Sequence, residues 1–264
     1  MVSFKSLLVS NLLASVVSCS PIAESEATAA PTTSGKRGLA YNNPHLLPAF
    51  SQNGEIFSWS YNWAARSGGN ALGIEFVPML WGPRAFGSWK SDAEASIKAG
   101  SKNLLAFNEP DILEQANMSP EAAADAYQKY MNPFAGKARL GSPAVSNGGP
   151  PMGLSWMEKF LHACGGKCKV DFLVIHWYND AGAVADFKAH VEAAISLAKK
   201  YGIGKVWITE FAGLGDEMAQ VKFVKEVIPW LDSNPGVERY AYFFVDKLVK
   251  GHSLSSVGKA YSAV

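Results

Sequence analysis

Two glutamates occupy positions suited to chemistry. Glu109 lies in Phe107-Asn108-Glu109-Pro110-Asp111 and Glu210 in Trp207-Ile208-Thr209-Glu210-Phe211, each closing a short apolar run of strand character. A carboxylate at the C-terminal tip of a buried strand packs poorly but can reach a ligand. Two of them on different strands of one domain are the minimum set for breaking a glycosidic bond. In the double-displacement form the carboxyls stand about 5–5.5 Å apart. One, its pKa raised by the charge of the other, protonates the leaving oxygen, and its partner attacks the anomeric carbon. Water then releases the product, with the first residue acting as base. Alternation places Leu105, Phe107 and Glu109 on one strand face and Ile208 and Glu210 on one face of another. For either glutamate alone a helix cap or an ion pair competes with this reading. For the pair, with Asn108 beside one and aromatics close by, chemistry is favoured.

The elements that must position these groups are legible from residue 37 onward. Strand candidates are 37–42, 57–63, 74–82, 103–111, 138–145, 170–179, 206–213 and 237–245. Several are nearly continuous apolar runs, as parallel strands buried on both faces require. Helical patterns fall at 88–99, 119–135, 184–201 and 216–232, the second opening with Ser119 as cap and Pro120 in the first turn. The early connections, 43–56 and 64–73, read as short and irregular. Eight strands alternating with helices predict a single (β/α)8 TIM barrel, whose sites gather at the C-terminal strand ends. By that count Glu109 ends the fourth strand and Glu210 the seventh. A doubly wound sheet is the alternative, but no Gly-rich phosphate turn follows the first strand.

A chain of 264 residues, 48% apolar, suits one domain with a sizeable core. The formal net charge of +1, with no basic stripe, argues against nucleic acid or an anionic membrane as partner, and a monomer is expected. The N-terminus has the pattern of a secretory signal over 1–23: Lys5, an apolar stretch over 7–17, then small residues. Pro21 disturbs the cleavage candidate ending at Ala23. Residues 24–36, rich in Ser, Thr and Pro, read as a flexible leader, leaving 37–264 as the catalytic domain. A secreted or cell-wall location is the corresponding expectation. In an oxidising compartment Cys164 and Cys168, separated by two glycines and a lysine, favour a local disulfide over a metal site, because no second Cys or His pair has zinc-ligand spacing. Asn117-Met118-Ser119 is an N-glycosylation sequon, weakened by Pro120. His45, His162, His190 and His252 form no ligand-spaced cluster, and neither a metal nor a cofactor is expected.

Five stretches in order carry a resemblance: 59–63 (WSYNW), 76–82 (FVPMLWG), 107–111 (FNEPD), 171–178 (DFLVIHWY) and 207–212 (WITEFA). Asn108-Glu109-Pro110, followed about a hundred residues later by Thr209-Glu210, looks like the clan of retaining glycosidases with glutamates on strands four and seven. More closely, the chain resembles glycoside hydrolase family 128, fungal and bacterial β-1,3-glucanases of the glycosyl hydrolase catalytic core. The resemblance implies Glu109 as acid/base, Glu210 as nucleophile, Asn108 on the sugar 2-hydroxyl, and Tyr178, beside His176 on the sixth strand, holding the nucleophile. It implies a β-1,3-glucan polymer or oligosaccharide as partner. Trp59, Trp63, Trp81 and Trp177 are candidate sugar platforms, with core packing the competing reading for each, and Asn62 is a further candidate contact. Many such enzymes carry a Trp near the end of the eighth strand. Here Phe243-Phe244 stands there, and Phe244 is a smaller candidate platform. Short early loops favour an open groove and internal cleavage. Alternatives are a glucan-binding protein with little or no hydrolysis, and a hydrolase for β-1,4-glucan or mannan. Glu75 and Asp111 read as structural.

Overall fold

The structure, a computed structural model, describes residues 35–69 and 72–263. The expected signal peptide, and all but the last two residues of the expected leader, lie outside them. Eight strands form one sheet: β1 (Arg37–Ala40), β2 (Phe57–Tyr61), β3 (Glu75–Phe76), β4 (Asn103–Leu104), β5 (Arg139–Val145), β6 (Phe172–Asp180), β7 (Val206–Leu214) and β8 (Val237–Tyr242). Their order is β3-β2-β1-β8-β7-β6-β5-β4. All these neighbours pair in parallel. The two edges meet through a parallel bridge between Met79 and Leu105, with Leu105 N donating to Pro78 O and Leu80 N to Leu105 O, both at 2.9 Å. The sheet therefore closes on itself as a (β/α)8 barrel.

β3 and β4 are much shorter than their apolar runs suggest. Pro78 lacks an N–H and interrupts the ladder in the middle of the β3 run. After Leu104 the chain is bridged only at Leu105 and Asn108. This loosening leaves Glu109 on irregular backbone rather than at the tip of a regular strand.

Two apolar layers explain the continuous runs. Along β6, Val174 joins the barrel interior with Trp59, Tyr61, Val77, Met79, Leu105, Phe172 and Trp207. Its neighbours Leu173, Ile175 and Trp177 join the layer beneath the helices. The lower interior is filled by rings: Phe172 stacks on Trp207 at 4.0 Å, and Trp59 lies 5.1 Å from Trp207. Arg239, paired with Glu75 at 2.8 Å, closes this end, its guanidinium 4.7 Å above Trp207. Glu75 also accepts from Lys102 N and Asn103 N, so it is structural, as its position early in the third strand suggested.

The outer layer is built by α1 (Phe86–Lys98), α2 (Pro120–Tyr130), α3 (Gly153–Cys164), α4 (Val184–Lys200) and α5 (Glu217–Ser233), with short α6 (Val245–Leu248) and α7 (Ser256–Tyr261) near the C-terminus. Ser119 caps α2 through Ala122 N. α2 ends well short of residue 135, since Pro133 lies in a separate turn, Asn132–Phe134. α3 is absent from the sequence reading. Met157, Phe160, Leu161 and Cys164 follow helical spacing, but the segment opens after Pro150-Pro151 without a capping side chain. Between β1 and β2 the chain forms 3-10 turns, Pro44–Ile56, pinned by buried Leu47 and Phe50. Cys164 and Cys168 are disulfide-bonded. Gly165 and Gly166 take positive φ (52° and 77°), which lets four residues turn the chain back on itself.

Gly38 marks the tightest interior approach. A Cβ there would lie 2.2 Å from the Trp59 ring. Gly38→Ala is expected to destabilise the fold by about 1–3 kcal/mol through overpacking, read as a lower denaturant midpoint with an unchanged slope. An unchanged midpoint would mean that the lower interior is looser than described.

Candidate active site

Irregular backbone at three strand ends aims the site. Glu109 has a φ of 40° and Trp63, just beyond β2, a φ of 57°, left-handed conformations that bulky residues rarely adopt. On β7 the register with β6 slips: Ile175 pairs with Ile208, but His176 pairs with Glu210. The extra residue, Thr209, is a bulge. Simple alternation predicts that Ile208 and Glu210 share a face. Instead Ile208 packs under the helices, whereas Thr209 and Glu210 both turn inward. A bulge that re-aims a side chain in this way is a recurrent device beside reactive sites. The alternation expected for β4 fails likewise: Leu105 is interior, Phe107 is in the outer layer, and Glu109 reaches the interior by its left-handed turn.

The two carboxylates meet around His176. One oxygen from each glutamate and one His176 nitrogen lie within 4.8 Å of one another. His176 Nδ1 is 3.0 Å from Glu109 Oε1, and Nε2 is 2.9 Å from Thr209 Oγ1 and 3.5 Å from Glu210 Oε1. A carboxylate only accepts, so Nδ1 carries a proton. Glu210 receives a donor on each oxygen: Trp63 Nε1–H on Oε1 at 2.6 Å and the Tyr178 hydroxyl on Oε2. Asn147 clasps the backbone N–H and carbonyl of Tyr178 with its amide. Tyr61 donates to Thr209 O at 2.9 Å and so fixes the bulge from below. Asp111 accepts from Ser146 and from Gly153 N, tying the loop after Glu109 to α3, the loop-fixing role expected of it.

Burial would raise the Glu109 carboxyl, yet the hydrogen bond and charge of His176 outweigh it and hold Glu109 below its ordinary value. This corrects the sequence expectation of an acid raised by its partner's charge, because His176 stands between the two. Burial disfavours the His176 imidazolium, but the charge of Glu210, the Glu109 hydrogen bond and the charges of Glu109 and Asp111 raise it overall. Burial first, and then the Glu210 charge, push the Tyr178 and Tyr61 hydroxyls far up, so both remain donors. Among the described residues these three groups alone bring His, Cys, Asp or Glu donors close enough to hold a cation. Their atoms are already engaged with one another and with Trp63, Tyr178 and Thr209, forming a hydrogen-bonded relay rather than an open ligand set.

The structure brings Glu109, Glu210, His176 and Tyr178 together, with Asn108 next to Glu109 in the chain. Asn108, 4% exposed, donates to Gln115, and its Oδ1 has no partner. Trp59 and Trp177 are not sugar platforms here, since both are 0% exposed. Trp59 fills the barrel floor; Trp177 lies under the helices, stacked on Phe223 and donating to Asp186. Asn62 closes its own turn, donating to Arg66 O and accepting from Ala64 N. Trp81 and Phe244 are half-buried above the interior layer, but the Arg84 guanidinium stacks on Trp81 at 3.5 Å. Asn117 is exposed on the loop after Glu109. Two contacts escaped the sequence reading: the Trp63 hydrogen bond to Glu210, and Thr209 as partner of His176. Both depend on the β7 bulge, which leaves no compositional trace.

Neither glutamate ends a regular strand as expected: Glu109 lies beyond β4 and Glu210 lies within β7, which runs on to Leu214, yet the two carboxylates of this closed (β/α)8 barrel face each other across His176, as in a glycoside hydrolase. The chain belongs to the glycosyl hydrolase catalytic core family, whose model matches residues 38–261, and within it to glycoside hydrolase family 128. A 68% identical structure, a subgroup III curdlan-specific exo-β-1,3-glucanase from Blastomyces gilchristii in complex with glucose, superposes with a TM-score of 0.86 over 89% of this chain and 100% of that one. A subgroup I endo-β-1,3-glucanase from Amycolatopsis mediterranei in complex with laminaritriose is 32% identical, with a TM-score of 0.73 over 86% of this chain and 98% of that one. Alkali-sensitive linkage protein 1 of Schizosaccharomyces pombe is 31% identical over 225 residues, 80% of this chain. The match spans only 39% of that protein's length.

The Glu109–His176 pair generates a pH signature. The lowered Glu109 contributes stability above its ordinary 4.5, lost as pH falls through the folded value. The raised His176 contributes below its ordinary 6.5, lost as pH rises through the folded value. Both terms are full between 4.5 and 6.5, and the thermal midpoint should be highest there. In His176→Phe that maximum should flatten, and a 13C-detected titration should place Glu109 higher than in wild type because burial is no longer opposed. An unmoved Glu109 would refute the pairing.

Proposed function

We propose that this glycoside hydrolase cleaves β-1,3-glucan with retention of configuration, Glu210 as nucleophile and Glu109 as acid/base, and that it is exported. The observation carrying this reading is the Glu210 carboxylate, 5% exposed, with a donor on each oxygen and Glu109 within 4.8 Å. That spacing suits direct attack. Inverting pairs stand roughly 6.5–9.5 Å apart to admit a water.

In the first step a Glu210 oxygen bonds to the anomeric carbon as the glycosidic C–O bond breaks, and the Glu109 proton passes to the leaving oxygen. In the second, water adds to the anomeric carbon, its proton goes to Glu109, and the bond to Glu210 breaks. Glu109 starts below its ordinary value. Sugar in the cleft removes the solvent still reaching its 14% exposed side chain, and this desolvation favours the protonated form that the first step needs. Asn108 Oδ1, buried and unpartnered, is placed to accept from a sugar hydroxyl beside Glu109. Phe244 and the outer edge of Trp81 are the aromatic surfaces left for sugar C–H faces.

The substrate reading draws on relatives crystallised with laminaritriose and laminaripentaose. Release from chain ends is the mode we favour over the open-groove expectation, because the 68% identical relative is exo-acting. Internal cleavage is the second reading, carried by endo-acting relatives at 26–33% identity. No helix among the described residues is long and apolar enough to cross a membrane. Export draws on the signal pattern, the disulfide and the exposed Asn117 sequon.

The test is incubation of residues 37–264 with a linear β-1,3-glucan, following product size and anomeric configuration. One short β-configured product from the outset, with slow loss of polymer length, is expected. Mixed oligosaccharides appearing early would establish internal cleavage, and binding without release would point to a glucan-binding protein. Glu210→Gln should lower kcat by at least about 10³-fold while laminari-oligosaccharide affinity changes little. A variant with full turnover would overturn the assignment.

A further inference from the structure

Trp63 has the sequence signature of a sugar platform, but its polar edge is committed elsewhere. We propose that Trp63 is a positioning residue, whose indole N–H fixes the orientation of the Glu210 carboxylate for attack, and that its ring is not a glucan subsite. The inference deepens the reading of Glu210 as nucleophile and rests on it.

Four observations converge. The Nε1–H meets Glu210 Oε1 at 2.6 Å from a residue 147 positions away. The backbone at Trp63 is left-handed: a φ of 57° is unfavourable for a bulky residue and survives only where the surroundings enforce it. Asn62 enforces it by bridging the turn, accepting from Ala64 N and donating to Arg66 O. The ring plane is held by Tyr61, Phe243 and Phe244, with centroids 5.0, 5.7 and 5.9 Å away, so the N–H points one way.

The chemistry suits a nucleophile. An indole N–H donates and never accepts. It stabilises a carboxylate without offering it a proton, unlike a carboxyl or imidazolium neighbour. With Tyr178 on the other oxygen, the carboxylate plane is fixed at both ends. Attack then requires one hydrogen bond to lengthen while the other keeps the group aligned, and the geometry is ready before the sugar arrives.

The experiment compares wild type with Trp63→Phe, and with a protein carrying 3-benzothienylalanine at position 63, where sulfur replaces the N–H in a ring of the same shape. Kinetics use reduced laminarihexaose, and binding of laminarihexaose is measured in the Glu210→Gln background. A positioning role predicts kcat lower by about 10- to 100-fold in both, the worth of one hydrogen bond to a charged group. KM and binding should stay within about threefold. A platform role predicts the reverse, weaker binding and higher KM with kcat retained, and would overturn the proposal. The isosteric replacement keeps the shape of the core, so its kinetics decide the matter even where Trp63→Phe fails to fold. If wild type binds laminarihexaose but does not cut it, the substrate reading fails instead, and weaker binding by the position-63 variants would still overturn this assignment.

Discussion

A buried carboxylate that requires a hydrogen-bond donor on each oxygen is the constraint on which this molecule turns. Glu210 is 5% exposed at the mouth of the barrel. An ion removed from water to that extent needs a donor on each oxygen or it takes up a proton. Trp63 and Tyr178 supply the donors, one from beyond β2 and one from β6. Both must be held in register with β7, and the local irregularities of the fold serve that alignment. The Thr209 bulge turns Glu210 inward, Tyr61 holds the bulge by its carbonyl, and Asn147 clasps Tyr178. The left-handed turn at Trp63 brings its N–H to the same point. These features are compensations for one ion, arranged around a closed ring of strands.

The ring tolerates such strain because its lower half is rigid. Stacked Phe172, Trp207 and Trp59, with Arg239 and Glu75 across the floor, fill the interior with large side chains and leave little room for adjustment. The irregular segments lie above this plug, at the end where barrels of this type place function. β3 and β4, the shortest strands, flank the gap through which Glu109 enters. The ladder fades there because Pro78 cannot donate and Glu109 turns left-handed.

What was legible in the sequence follows from which signals have a period. β6 and β7 read clearly because strands buried on both faces are apolar throughout, and α4 and α5 because their buried residues recur at helical spacing. The paired glutamates were legible because charge at the end of an apolar run is conspicuous. The direction of each side chain was not. Alternation predicts Ile208 with Glu210 and Phe107 with Glu109, and both pairs are split, one by a bulge and one by a left-handed residue. Neither device has a composition of its own, since Thr209 and Glu109 are not residues that advertise a bulge or a positive φ. Aromatic roles were illegible for a similar reason. Alternation sets Trp177 opposite His176 and toward the helices, where it lies, but Trp59 and Trp63 read alike as candidate platforms, yet one is floor and the other donor.

His176 joins the two catalytic candidates into one electrostatic unit. A lone pair of carboxylates at this distance would divide the labour by repulsion, one ionised and one protonated. With an imidazole bridging Glu109 and Thr209 and 3.5 Å from Glu210, the ionised form of Glu109 is favoured in spite of its burial. In the proposed reaction Glu109 must then take up a proton from water before the leaving group departs, and a sugar that dries the cleft weakens the advantage of the ionised form. A buried imidazole, held by Thr209 on one side and Glu109 on the other and 3.5 Å from Glu210, thus joins both carboxylates in one polar group, a connection that its complete burial alone would not reveal.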